Sequence, residues 1–197
     1  MTPRFVNQKE KKKQIIEATI HILSNKNMQD FKLQDVAQYL NIGKSTIYEY
    51  FENKEAIIVQ SMDYFMEKYF IYESEEQSVF KLLENALWGF QRVDEKDARM
   101  MRVIMDLWTQ GIKGNYPGLK RFYQKYIRYA ADKIHLGQKK GEIRNDIDPE
   151  STAAWVLGVM DGLGLQILLD PEHFDYQGIF NSFMQAMRDF LCPSRGE

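Results

Sequence analysis

Residues 33 to 54 read LQDVAQYLNIGKSTIYEYFENK, and the reading of this stretch decides the fold. Leu33, Val36, Ala37 and Leu40 recur at helical spacing, so its first half predicts a short amphipathic helix. The small Ala37 lies on the buried face, where a second helix can cross closely. Asn41-Ile42-Gly43 follows; Asn tolerates left-handed backbone, and Gly caps a helix at modest cost. A second helix, Lys44 to Phe51, would bury Ile47 and Phe51 and turn Lys44, Ser45, Thr46, Tyr48 and Tyr50 outward. Two short helices joined by a tight turn, the second polar at its start, form the geometry that lays a helix in the major groove of DNA. The pattern alone also fits an ordinary helical hairpin. The residue types favour DNA, because tyrosines, a lysine and hydroxyls suit phosphate oxygens and base edges.

Composition bounds the rest. At 197 residues the chain has room for one domain, or a small one and a medium one. Apolar residues at 44% and aromatics at 13% exclude a disordered chain. The net charge of −2 hides an asymmetry: residues 1–54 hold nine Lys/Arg against six Asp/Glu (+3), the remainder 17 against 22 (−5). A basic N-terminal quarter on an acidic remainder suits a nucleic-acid reader attached to something else. Lys9, Lys11, Lys12 and Lys13 open the first helix against its dipole, which favours contact with phosphates.

The lone cysteine, Cys192, excludes a disulfide framework. The polar, basic N-terminus has no apolar core, so no secretory signal is expected. The apolar run 153–169 contains Asp161, which would cost about 2.5–3.5 kcal/mol in a bilayer, so a buried helix is expected there and no membrane partner. A cytoplasmic protein is expected.

Lys44-Ser45-Thr46-Ile47-Tyr48-Glu49-Tyr50-Phe51, followed by Asn53-Lys54-Glu55, resembles the recognition-helix signature of the TetR (tetracycline repressor) family. The resemblance runs from about residue 9 to 58, and the helical layout beyond agrees with it. Asn27 and Asn41 stand where the family usually has Gly, Gly43 replaces its usual Ser cap, and Lys32 its Thr or Ser cap, so the helix after Lys32 is expected to start less firmly. The resemblance implies a dimeric transcription factor, usually a repressor, released from its operator by a small molecule. Thr46, Ser45 and Lys44 would approach base edges, with Gln34 from the preceding helix. Tyr48, Tyr50 and Lys54 would hold phosphates.

Taken in order, the chain predicts a loose arm over 1–8 and helices over about 9–24, 33–40, 44–51, 54–72, 75–93, 97–110, 117–140, 149–169 and 176–191. No strand-like alternation and no internal repeat is found, so the fold is all-α. Residues 1–53 are expected to form a helix-turn-helix DNA-binding domain. Residues 54–197 would form a ligand-binding and dimerisation domain, with the fourth helix as lever between them.

The last two helices carry more apolar surface than their own domain needs, and in the resembled family such helices pair with their copies as a four-helix bundle. A two-fold homodimer through helices 8 and 9 would set two recognition helices roughly 34–36 Å apart on a palindromic operator. Ala154, Gly158 and Gly162 form a small-residue stripe where another helix can come close. Aromatics and methionines on helices 5 to 8 suit an apolar or aromatic effector. Trp88, Met101, Met105, Trp108, Tyr123, Tyr126 and Trp155 are the candidates, although at helical spacing such residues also serve as plain core. Asp106, four residues after Arg102, reads as half of a surface ion pair. Asp161, the sole charge in its run, needs a partner: a helix N-terminus, an Arg across the dimer, or a cationic ligand.

No cofactor or metal site is expected. None of the three histidines has a metalloprotease setting, and no phosphate loop or nucleotide fingerprint occurs. An enzyme is therefore not expected. Two other readings stand beside the ligand-released repressor: a helical carrier of hydrophobic molecules, and a DNA-binding regulator without a small-molecule inducer. The carrier leaves the shared surface of Tyr48, Tyr50 and Lys54 unexplained.

Overall fold

A computed structural model describes residues 3–26, 30–69, 78–91 and 95–193; the side chains of residues 3–7, 69, 86–91 and 95–101 lie outside the description. Among the described residues there are nine helices and no strand, so the all-α expectation holds. They are α1 (Pro3–Asn25), α2 (Leu33–Tyr39), α3 (Lys44–Tyr48), α4 (Lys54–Tyr69), α5 (Val79–Gln91), α6 (Glu95–Ile112), α7 (Gly118–Lys139), α8 (Pro149–Leu169) and α9 (Tyr176–Leu191).

Two boundaries depart most from expectation. There is no loose arm over 3–8: α1 begins at Pro3, whose ring presets the helical φ at a first position that needs no N–H donor. The recognition helix is five residues long and ends at Tyr48, where the Glu49 N–H already reaches the Ser45 and Thr46 carbonyls in a tightening last turn. The expected start of the fifth helix, near Glu75, falls outside the described residues. The α8 limits match, since Asp148 caps it by accepting from the Ser151 N–H at 2.8 Å and Pro149 takes the first position.

The chain divides into two compact units, Met1–Glu67 with Asp94–Phe122, and Lys68–Val93 with Tyr123–Glu197. The first unit cuts across the 53/54 boundary read from the sequence. Its α1 packs on both α2 and α6, and its core includes Ile15, Leu23, Phe31, Val36, Ile47, Ile57, Met62 and Leu107. Glu55 in the first turn of α4 accepts a hydrogen bond from the Gly118 N–H, the first residue of α7. A Cβ at Gly118 would sit 2.6 Å from that carboxylate and 3.2 Å from Val59, so glycine keeps the approach open.

In the second unit α5 packs on α9 and α8, over a core that includes Leu83, Ile134, Ile143, Val156, Met160, Met187 and Leu191. The Arg144 N–H donates to the Leu191 carbonyl at 2.9 Å and closes the end of α9 against the α7–α8 turn. Helix α8 is the one described helix long and apolar enough to cross a membrane by length and composition. It is not the buried helix expected: only 33% of its apolar window is buried, and Trp155, Leu165 and Leu169 are exposed.

Candidate nucleic-acid interface

The α2–α3 pair is locked from beneath. Ile47 is fully buried, Phe51 almost so, and Leu33, Val36 and Ala37 form the matching face of α2. Asn41 takes the left-handed backbone expected of it, with φ 51°, and the Ile42 N–H returns to the Ala37 carbonyl at 3.0 Å. Gly43 is the N-cap of α3 in extended backbone, so its use there is not forced by φ.

Lys32 leaves α2 without the usual hydroxyl cap, yet α2 is not loose. Asp35, three residues on, accepts from the Lys32 N–H at 3.3 Å and pairs with Lys26 at 2.9 Å. The side-chain hydrogen bond from Lys26 is the largest of the influences that hold the Asp35 carboxyl below its ordinary range. An acid at the third helical position is a legible signal that the sequence reading passed over. It likewise passed over Asn53, whose Oδ1 accepts from the Ala56 N–H at 2.8 Å and caps α4.

With that scaffold in place, Gln34, Lys44, Ser45 and Tyr48 are exposed and Thr46 is half-buried. Tyr48 is 48% exposed, with the Lys44 ammonium 5.8 Å from its ring centroid. Because α3 stops at Tyr48, Tyr50 sits in the turn beyond it and is half-buried rather than displayed on the helix. Lys54 is also half-buried: its Nζ donates to the Phe31 carbonyl at 2.7 Å and lies 5.1 Å from the Phe31 ring. Burial holds this ammonium below its ordinary value. Lys54 is thus a clasp between α4 and the segment before α2, and the hydrogen bond leaves two of its three N–H donors for other acceptors. In the first unit Lys12 lies 5.3 Å over the Phe51 ring, tying the lysine-rich middle of α1 to the same scaffold. Those lysines thus lie well past the first turn of α1, not at the helix start expected from the sequence.

The candidate effector residues separate. The side chains of Trp88 and Met101 lie outside the described residues. Met105 and Trp108, on α6, belong to the first unit, where Trp108 packs against Phe122 with ring centroids 5.6 Å apart. Arg102 and Asp106 form no ion pair, despite the expected spacing. Asp106 instead adds to the effect of burial in raising the Tyr116 hydroxyl. In the second unit Tyr126 is buried, with the Lys125 ammonium 5.6 Å from its ring. Trp155 faces outward, 49% exposed, with the exposed Phe190 ring of α9 at 5.3 Å. Tyr123 and Asp161 do come together: the tyrosine hydroxyl donates to the Asp161 carboxylate at 3.4 Å. That partner was not among those the sequence suggested for Asp161.

A basic first helix, a tight turn through left-handed Asn41 and a short helix with polar residues outward define a helix-turn-helix DNA-binding protein. Residues 15–60 match the family described as bacterial regulatory proteins, tetR family. The chain is 26% identical over 175 residues to the uncharacterized HTH-type transcriptional regulator YhgD of Bacillus subtilis, covering 83% of this chain and 85% of that protein. It is 34% identical over 62 residues to a second one, YuxN, of whose length the chain spans only 21%, matched by 32% of this chain. Among solved structures, a TetR-family regulator from Rhodococcus sp. shares the fold, with TM-score 0.78, 18% identity and 93% of this chain and 99% of that one covered. A transcriptional regulator from Saccharomonospora viridis, solved in complex with choline, shares it at TM-score 0.66 and 18% identity over 94% and 99% of the two chains. Residues 15–60 thus carry the DNA-binding region of the tetR family of bacterial regulatory proteins, and the fold of the chain agrees with it.

Proposed function

We propose that this chain is a homodimeric repressor that holds a palindromic operator through α3 and releases it when a small, apolar or aromatic effector binds. The observation that carries the DNA half is α3 itself, anchored by a fully buried Ile47 and turning Lys44, Ser45 and Tyr48 to solvent. In this reading Thr46, Ser45, Lys44 and Gln34 approach base edges, while Tyr48, Tyr50 and Lys54 hold phosphates. Residues 1–53 read DNA, and residues 54–197 dimerise and receive the effector in the cytoplasm. No catalytic role is assigned.

The outer face of α8 supports the dimer. Trp155, Leu165 and Leu169 share that face with Gly158 and Gly162, and a Cβ at either glycine would meet nothing within 4 Å. Each glycine inside a helix costs about 1 kcal/mol relative to alanine. No close approach among the described residues explains that cost; a second copy of α8 and α9 against the face does. The effector half rests on the resemblance and on the choline complex of the Saccharomonospora viridis relative.

Selection of duplexes from a random DNA pool by the full-length protein tests the reading. An inverted repeat should be enriched, and Tyr48→Ala should weaken enriched and random duplexes alike, by about tenfold for the roughly 1.4 kcal/mol of one lost charge-assisted contact. Unchanged affinity in that variant would remove Tyr48 from the phosphate contacts, and enrichment of no duplex would overturn the operator.

A further inference from the structure

Asp161 is the one charged residue between 153 and 169, and it stands part-buried on a flank of α8. Helical spacing puts Leu157 and Leu168, both half-buried, on the same flank. From α7, Tyr123 meets it, and the same spacing puts Ile127 and Ala130 beside Tyr123. These neighbours are all apolar, so the carboxylate and the phenol meet with hydrocarbon on both flanks; Lys120, one turn before Tyr123, is exposed.

That carboxylate is poorly provided for. An ionised carboxylate offers about four lone-pair positions, and one hydroxyl reaches it at 3.4 Å, long against the usual 2.7–2.8 Å or so of an O–H···O bond. Among the described residues no lysine, arginine or histidine pairs with it or bears on its titration, which burial dominates. A part-buried carboxylate in such surroundings is stabilised by an opposite charge that arrives with its own apolar cover.

The lining limits what that charge can be. A calcium ion needs six to eight oxygens or so and zinc about four N, S or O ligands. Among the described residues no three His, Cys, Asp or Glu side chains gather to hold a metal ion. A compact, strongly hydrated ion would also keep its water against the leucines. A cation with a hydrocarbon skin loses little hydration, can lie on the leucine flank, and is attracted by the Tyr123 ring face.

We propose that Asp161 and Tyr123 are the polar end of a binding site for an organic cation, a quaternary ammonium or bulky protonated amine, whose hydrocarbon part rests on the apolar flanks of α7 and α8. This deepens the effector reading above and rests on it only for the consequence at DNA, since binding itself can be measured alone.

The test is thermal unfolding of the full-length protein at pH 7.5 with tetramethyl- to tetrabutylammonium, benzyltrimethylammonium and choline. Choline is matched by 3,3-dimethylbutan-1-ol, its neutral isostere, and the other cations by neutral alcohols of similar size. At least one cation should raise the melting temperature by several degrees, saturably, with no such rise from its neutral counterpart. Asp161→Asn should weaken that cation at least tenfold. Tyr123→Phe, which keeps the ring, should weaken it less. If no cation exceeds its neutral counterpart, or if Asp161→Asn binds it as tightly as wild type, the cation site is wrong. If neutral compounds alone bind and release selected DNA, the cation site falls and the effector reading stands. If the cation binds through Asp161 but leaves DNA binding unchanged, the site stands and the effector reading falls. Sedimentation of Asp161→Asn covers the remaining occupant: loss of the dimer would assign the carboxylate to a cation across the interface and overturn the proposal.

Discussion

At the scale of single residues, the charged side chains of this protein are set by what each one touches. Lys54 is held by a carbonyl 23 positions away, Asp35 by Lys26, and Asp161 by a phenol alone among the described residues. Burial penalises the charged form of Asp161 and pushes its carboxyl above the ordinary 3.8, an effect that the Tyr123 hydrogen bond partly offsets. The folded chain therefore keeps this proton at pH values where the unfolded chain has released it. The stability contributed by the neutral form is complete below about 3.8 and is lost as pH rises through the folded pKa. Asp161→Asn, which cannot ionise, should gain on wild type across that window and hold a constant lead above it. Urea unfolding midpoints of both proteins between pH 4 and 8 or so would show this. A constant difference throughout would mean that Asp161 titrates normally.

At the scale of elements, the glycines separate into those that a neighbour requires and those that none does. Gly137, in the last turns of α7, faces the buried Ile143, and a Cβ there would lie 2.6 Å from the isoleucine Cδ1. The chain returns at once through Gly141, at φ 72°, and the Glu142 and Ile143 N–H groups both reach the Gly137 carbonyl, at 2.9 and 3.2 Å. Gly137→Ala would gain about 1 kcal/mol of helix propensity but force an overpacked core costing about 1–3 kcal/mol. The isoleucine atoms it meets belong to a side chain already fixed in the core, so the steric cost should win. Calorimetry should find the variant less stable than wild type by up to about 2 kcal/mol. An unchanged or raised melting temperature would mean that Ile143 has room to yield.

At the scale of the whole molecule, the open face of α8 makes an opposite forecast. Gly158→Leu and Leu165→Glu fill or charge a surface that nothing among the described residues covers. Neither should harm the fold of the single chain, and both should turn the proposed dimer into monomers in sedimentation equilibrium at micromolar concentration. DNA affinity should fall with them, because two recognition helices then bind as independent half-site readers. Dimers that persist in both variants would move the interface elsewhere.

Most of the helices, the turn at Asn41 and the polar side of α3 were legible in the sequence, since each depends on residues three or four positions apart or on one residue's backbone preference. The start of α1, the length of α3, the missing Arg102–Asp106 pair and the exposure of Trp155 were not. Helical spacing makes an ion pair possible, but the surroundings decide whether it forms. An apolar residue signals that it seeks cover, without saying whether that cover is its own core or a second molecule. The sequence by itself determined an all-α chain with a helix-turn-helix near its start. Only the tertiary structure decided that Glu55 caps α7 across 63 residues, that Lys54 clasps Phe31, and that Tyr123 meets Asp161 across 38. These contacts join helices whose mutual placement is set by packing, and no local periodicity encodes it.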